Sequence, residues 1–174
     1  MTCLQPVTLL RELIAEAEEL FGKRSQHLWL AVGLTDGASN PMTTVVKHGE
    51  TKCMFVLVGQ DLLNNPETLT YQLAHEAIHC LGSCENTTRL EEGLATYFGL
   101  HNSKISSLRS QIETTNLDTH RRDCLTDIVA LFDINPAALT ILRGNAIPFE
   151  LIKPQQIVEL GANDDLARRL CFPG

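Results

Sequence analysis

The sequence predicts an α+β fold in which an N-terminal helix, a small sheet and a motif-bearing helix are followed by an all-helical C-terminal lobe. Strand-like runs of β-branched and apolar residues are confined to residues 28–58. The segments on either side carry apolar residues at helical spacing. Cap and stop residues then mark the helix ends, from Gly22 to Asn163.

Residues 6–21 place Leu9, Leu10, Leu13, Ile14, Ala17, Leu20 and Phe21 at helical spacing, with Arg11, Glu12, Glu16 and Glu18 mostly opposite and Gly22 as the stop. Residues 28–34 are too short and too continuously apolar for a surface helix, so a buried strand is expected there. Asp36-Gly37 and Asn40-Pro41 supply turn chemistry after it. Residues 43–47 and 53–58 are strand formers around His48-Gly49-Glu50 and read as a hairpin. A helix over 66–81 follows, with Asn65 as cap, Pro66 at its first position and Gly82 as a left-handed stop. Further helices are expected from Thr88, Asp118, Asn135-Pro136, Pro154 and Asn163, with no strand after Val58.

A chain of 174 residues, 44% hydrophobic, suits one compact domain with a real core. No repeat, low-complexity tract or long linker divides it, so residues 1–101 and 102–174 are expected to pack as two lobes of one unit. The formal charge of -7 leaves no basic stripe for a phosphate backbone, which excludes nucleic acid as a partner. No run approaches the roughly 18 apolar residues of a membrane span, and Arg11 and Glu12 come too early for a secretory leader, so a soluble, cytoplasmic protein is expected. The six cysteines are dispersed through a chain large enough to fold without staples and read as mostly reduced thiols.

His75-Glu76-Ala77-Ile78-His79 lies within the predicted 66–81 helix, where four-residue spacing stacks both imidazoles on one face, in reach of one metal. Glu76 is turned about 100° from His75, so it flanks the metal and can hold its water. With 6 histidines and 13 glutamates in 174 residues, such a string arises by chance in roughly one or two of every hundred sequences of this composition. The spacing alone could equally belong to two ordinary histidines of an amphipathic helix.

The next predicted helix separates the two readings. A catalytic zinc needs a third protein ligand and an open fourth position, and Glu91-Glu92-Gly93-Leu94-Ala95-Thr96-Tyr97 offers two carboxylates. Adjacent helical residues point about 100° apart, so only one faces the metal. Thr88 and Glu91 have capping-box spacing, which assigns Glu91 to the helix start. Glu92 is then the expected ligand, with Gly93 allowing close helix approach and Thr96 placed to hydrogen-bond a metal-bound histidine.

The helical His75-Glu76-x-x-His79 string followed by Glu92-Gly93-x-Ala95-x-Tyr97 resembles the gluzincin clan of zinc metallopeptidases. The resemblance covers residues 75–101 at most. It implies a small zincin-like domain, one zinc ion per chain held by His75, His79 and Glu92, and Glu76 as general base. The 12 residues between His79 and Glu92 are fewer than in the larger aminopeptidases of that clan, and no exopeptidase anchoring motif accompanies them, so endopeptidase action on a peptide or protein substrate is expected.

Zinc would bring the pKa of its water toward about 7, Glu76 would take the proton, and the scissile carbonyl would be polarised. A donor to the developing oxyanion is also needed, for which Tyr97, His101 and His120 are the candidates. Each has a plainer reading: Tyr97 as an aromatic between helices, His101 as a helix end, and His120 as part of a solvated run with Arg121 and Arg122. An edge strand along the cleft would let a peptide add to the sheet, with residues 54–58 the expected edge; their uninterrupted apolar character equally suits a central, buried strand.

Two other readings compete. Cys80 and Cys84 suggest a closed His/Cys structural zinc site, but Cys80 is turned about 100° from His79, and such a site leaves Glu92 to Tyr97 without a purpose. A catalytically silent metal-binding domain, regulatory or protein-binding, would keep the ligands and lack the oxyanion donor. The sequence names no inhibitory or regulatory partner.

Overall fold

The computed structural model describes residues 4–26, 28–36, 42–48, 51–83, 86–102, 118–144 and 146–173. Within them the chain is α+β and mostly helical, with seven α-helices and one three-stranded sheet. Helix α1 (Leu4–Phe21) buries Leu10, Leu13, Ile14, Ala17 and Phe21 and stops at Gly22, whose φ of 96° is readily adopted only without a side chain.

Strands β1 (Trp29–Thr35), β2 (Met42–His48) and β3 (Thr51–Gly59) assemble in the order β1-β3-β2. β3 pairs antiparallel with β2, the expected hairpin, and parallel with β1. Residues 54–58 are therefore central rather than the exposed edge: Met54, Val56 and Val58 point into the core while both flanks of β3 are hydrogen-bonded. Among the described strands, β2 is the outer one on the hairpin side.

Helix α2 (Pro66–His79) starts as its sequence requires, with the Asn65 side chain accepting from the Thr68 amide at 3.2 Å and Pro66 in the first turn. Gly82 is not the left-handed stop expected of it; among described glycines only Gly22 and Gly161 have positive φ. Its smallness serves approach instead, since an added Cβ would lie 3.2 Å from Glu91 Oε1 and 3.3 Å from the Phe149 ring. Helix α3 (Arg89–Asn102) follows.

Helix α4 (Thr119–Ile134) is capped by Asp118, which accepts from the Arg121 amide at 2.8 Å. Asn135-Pro136 lies between helices rather than opening one, because Asn135 ends α4 and turns the chain by accepting from the Ala137 amide; α5 is Ala138–Arg143. Helices α6 (Pro154–Glu159) and α7 (Asp164–Cys171) start at the expected Pro154 and after the Asn163 cap. No strand follows β3 among the described residues, where Thr88 and Pro173 make only an isolated bridge.

One hydrophobic cluster runs from Leu10 of α1 through β3 and α2 to Ile128 of α4 and Leu170 of α7. Two features of this packing position the site. Gly93 lets α4 lie against α3, since a Cβ there would sit 2.3 Å from the Cys124 carbonyl oxygen. Arg143, fully buried, donates to the carbonyls of Phe21, Gly22, Lys23, Leu81 and Ile147 and lies 4.2 Å over the Phe149 ring, joining the ends of α1 and α2. Burial pulls its pKa down to about 10, with Glu91, Glu150 and Glu18 opposing, so it stays charged at neutral pH. Cys53, Cys80, Cys124 and Cys171 are free thiols, while Cys3 and Cys84 lie outside the described residues. None of the described helices is long and apolar enough to cross a membrane.

Candidate metal centre

Helical spacing puts His75 and His79 on one face of α2, and their rings meet edge to face with centroids 5.0 Å apart. α3 packs against this face and delivers Glu92 from its first turn. Three edges define the cluster: His75 Nε2 to His79 Nε2 at 3.3 Å, His75 Nε2 to Glu92 Oε1 at 3.4 Å, and His79 Nε2 to Glu92 Oε2 at 3.5 Å. Tetrahedral coordination with bonds of roughly 2.0–2.2 Å has edges of about 3.3–3.6 Å, so the three groups fit one small cation. Two imidazole nitrogens this close share either an N–H hydrogen, donated by one ring to the other, or a metal ion. His75, His79 and Glu92 form the one group of this kind among the described residues that could hold a metal ion.

The charges of the cluster act first on Glu92. Burial works to raise Glu92, but the His75 hydrogen bond and the charges of His75, His79 and Arg121 prevail and bring its carboxyl down to about 2. The oxygens therefore stay ionised and ready to ligate.

Glu91 does more than start its helix. Its amide donates to Thr88 Oγ1 at 3.3 Å, half of the expected box, but its buried carboxylate turns to His79 Nδ1 at 2.8 Å. Burial disfavours a charged His79, yet the Glu91 hydrogen bond, with the charges of Glu91, Glu76 and Glu92, raises its pKa to about 9. Glu91 thus fixes the ring so that Nε2 points at the cluster. Thr96 does not take that role: its hydroxyl donates back to the Glu92 carbonyl at 3.0 Å, within its own helix. Nδ1 of His75 is buried with no partner among the described residues, which brace only one of the two imidazoles.

Glu76 sits beside the cluster, 5% exposed, and accepts from Thr43 Oγ1 of β2 at 2.6 Å. It lines a cleft of about 430 Å³ with Met42, Thr43, His75, His79 and Glu92 on one side and Asp118, His120 and Arg121 at the start of α4. This volume admits a short peptide segment.

The three candidate oxyanion donors separate. His120 lines the cleft, its Nε2 3.6 Å from Cys124 Sγ. Tyr97 and His101 do not line it; they stack on each other at 4.6 Å, with Tyr97 edge-on to Phe132 at 5.0 Å, along an apolar groove shared with Leu20, Phe21 and Phe98. An aromatic five residues beyond Glu92 has turned too far around α3 to face the cluster. Cys80 is buried beside His79 and joins the hydrophobic core, apart from the ligand set, and Cys84 lies outside the described residues.

Three cleft contacts escape sequence reasoning. Glu91 was masked by its capping-box spacing. Thr43 lies 33 positions from Glu76 and carries no motif. Arg121, which donates from Nε to Glu92 Oε1 at 3.2 Å, was hidden in a run that reads as solvated. Comparison with protein-family models, with curated proteins and with solved structures finds no match.

Proposed function

We propose that this protein is a zinc-dependent peptidase of zincin-like design, acting within a peptide or protein chain. The observation that carries this reading is the convergence of two imidazole nitrogens and a carboxylate at tetrahedral edge distances, with a second carboxylate, Glu76, beside them in an open cleft. A structural site would be closed by four protein ligands, whereas the described residues bring three to this one, beside a cleft.

Zinc bound there supplies Lewis acidity and a water acidified toward a pKa of about 7. The remaining work falls to the chain. Glu76, which lines the cleft with one oxygen held by Thr43, accepts the proton of the attacking water and returns it to the leaving amine. Glu91 keeps His79 oriented. β2, the outer strand of the described sheet, has Met42 at the cleft and so lies where an extended substrate would run beside it.

The test compares wild type with Glu76→Gln, both purified without a chelator or a His-tag. Zinc content is read by plasma mass spectrometry and cleavage with fluorescently labelled denatured casein. Both proteins should carry about one zinc per chain, and only wild type should cleave. A wild type that is folded and takes up no added zinc ends the metal reading; full cleavage by the variant ends the role of Glu76.

A further inference from the structure

Hydrolysis of a peptide bond puts negative charge on the former carbonyl oxygen as water adds to the carbon, and a preorganised donor lowers that barrier. The cleft is short of such donors. Glu76 and Glu92 line it with carboxyl groups, Tyr97 and His101 point elsewhere, and the Nε2 of His120 is next to the Cys124 thiol. One side chain in the cleft is always cationic: Arg121.

Three independent contacts hold Arg121 in place. Its amide is tied to the Asp118 cap, so it belongs to the rigid first turn of α4. The Gly93 contact with Cys124 holds that helix close to α3. Its Nε donates to Glu92 Oε1 at 3.2 Å, which fixes the plane of the guanidinium beside the ligand cluster. That is the one side-chain hydrogen bond Arg121 makes among the described residues. A guanidinium carries five N–H donors in a rigid fork. The amino groups beyond Nε are therefore left for a ligand, in a side chain 32% exposed to the cleft. A substrate oxygen replacing water in the cluster lies about one tetrahedral edge, roughly 3.3–3.6 Å, from the Glu92 oxygen, within reach of the same fork.

We infer that Arg121 is the cationic donor to the oxyanion of the scissile carbonyl, a role that rests on the peptidase reading above. It places the missing donor on the C-terminal lobe, opposite Glu76, so that a substrate lies between a base from α2 and a cation from α4.

The test uses Arg121→Gln, Arg121→Lys and, as an exposed control, Arg122→Gln. Casein cleavage gives kcat and KM, plasma mass spectrometry gives zinc content, and calorimetry gives the affinity of the zinc-loaded proteins for a phosphinic pseudo-dipeptide, a tetrahedral anion. Arg121→Gln should lower kcat by about 10²–10³-fold with KM and zinc content unchanged, and should loosen the phosphinic probe in parallel. Arg121→Lys should recover part of both, since it keeps the charge and loses the fork, and Arg122→Gln should match wild type. Wild-type kcat and probe affinity in Arg121→Gln overturn the inference. Loss of zinc from that variant also overturns it, because the arginine would then serve only to hold Glu92. A wild type that neither binds zinc nor cleaves overturns the peptidase reading itself, whereas a cleaving wild type with an unaffected Arg121→Gln overturns this role alone.

Discussion

Glu91 and Glu92 are neighbours on one helix, yet both serve the same imidazole. Side chains one residue apart on a helix diverge by about 100°, which allows them to straddle the His79 ring: Glu92 meets Nε2 at 3.5 Å and Glu91 meets Nδ1 at 2.8 Å. The ring is thereby locked from both ends, and the capping-box spacing of Thr88 and Glu91, though half realised, is not the reason for that glutamate. Glu91→Ala should weaken zinc binding about 10–100-fold, against a larger loss in Glu92→Ala, as measured by competition with a chelating dye. Wild-type affinity in Glu91→Ala would reduce the carboxylate to a capping role.

At the scale of elements, the site depends on two helices held unusually close. Gly93 is the contact, with the Cys124 carbonyl where a Cβ would have to go. Alanine is the better helix former by about 1 kcal/mol, but the clash with backbone outweighs that gain. Gly93→Ala should destabilise the fold by roughly 1–3 kcal/mol, read from the midpoint and slope of urea unfolding, and should pull Arg121 away from Glu92. A variant more stable than wild type would show that α3 and α4 can separate freely. Local and long-range signals divide the remaining elements. The helix starts at Asn65, Asp118, Pro154 and Asn163 were legible because caps are local, whereas the stop expected at Gly82 and the start expected at Asn135-Pro136 fall elsewhere. Which strand lies at the centre of the sheet was not legible, because the parallel pairing of β1 with β3 is a long-range choice.

For the whole molecule, Arg143 is the side chain that joins distant parts. It is fully buried and donates to five carbonyls at the ends of α1 and α2 and beside α5. Removing it strips a donor from each of these carbonyls, of which that of Leu81 keeps the Ser25 amide at 3.0 Å. Arg143→Met should cost at least about 3 kcal/mol by chemical denaturation, while the fraction still folded keeps its zinc stoichiometry, since the residue touches none of His75, His79 and Glu92. A loss below about 1 kcal/mol would mean that water replaces its hydrogen bonds.

From the sequence alone came the mixed α+β class, the helix starts at Asn65, Thr88, Asp118, Pro154 and Asn163 though not the one expected at Asn135-Pro136, and the grouping of His75, His79 and Glu92, because helical periodicity converts spacing into a shared face and one following helix supplies the third group. The choice of Glu92 over Glu91 was also legible, though for an incomplete reason. The second role of Glu91, the tether from Thr43 to Glu76, the displacement of Tyr97 into an apolar groove and the arrival of Arg121 at Glu92 were decided only by tertiary structure. Each depends on how one element is turned against another. That rotation is set by packing contacts such as Gly93 on Cys124 and β3 between its two neighbours, which no local pattern of residues records.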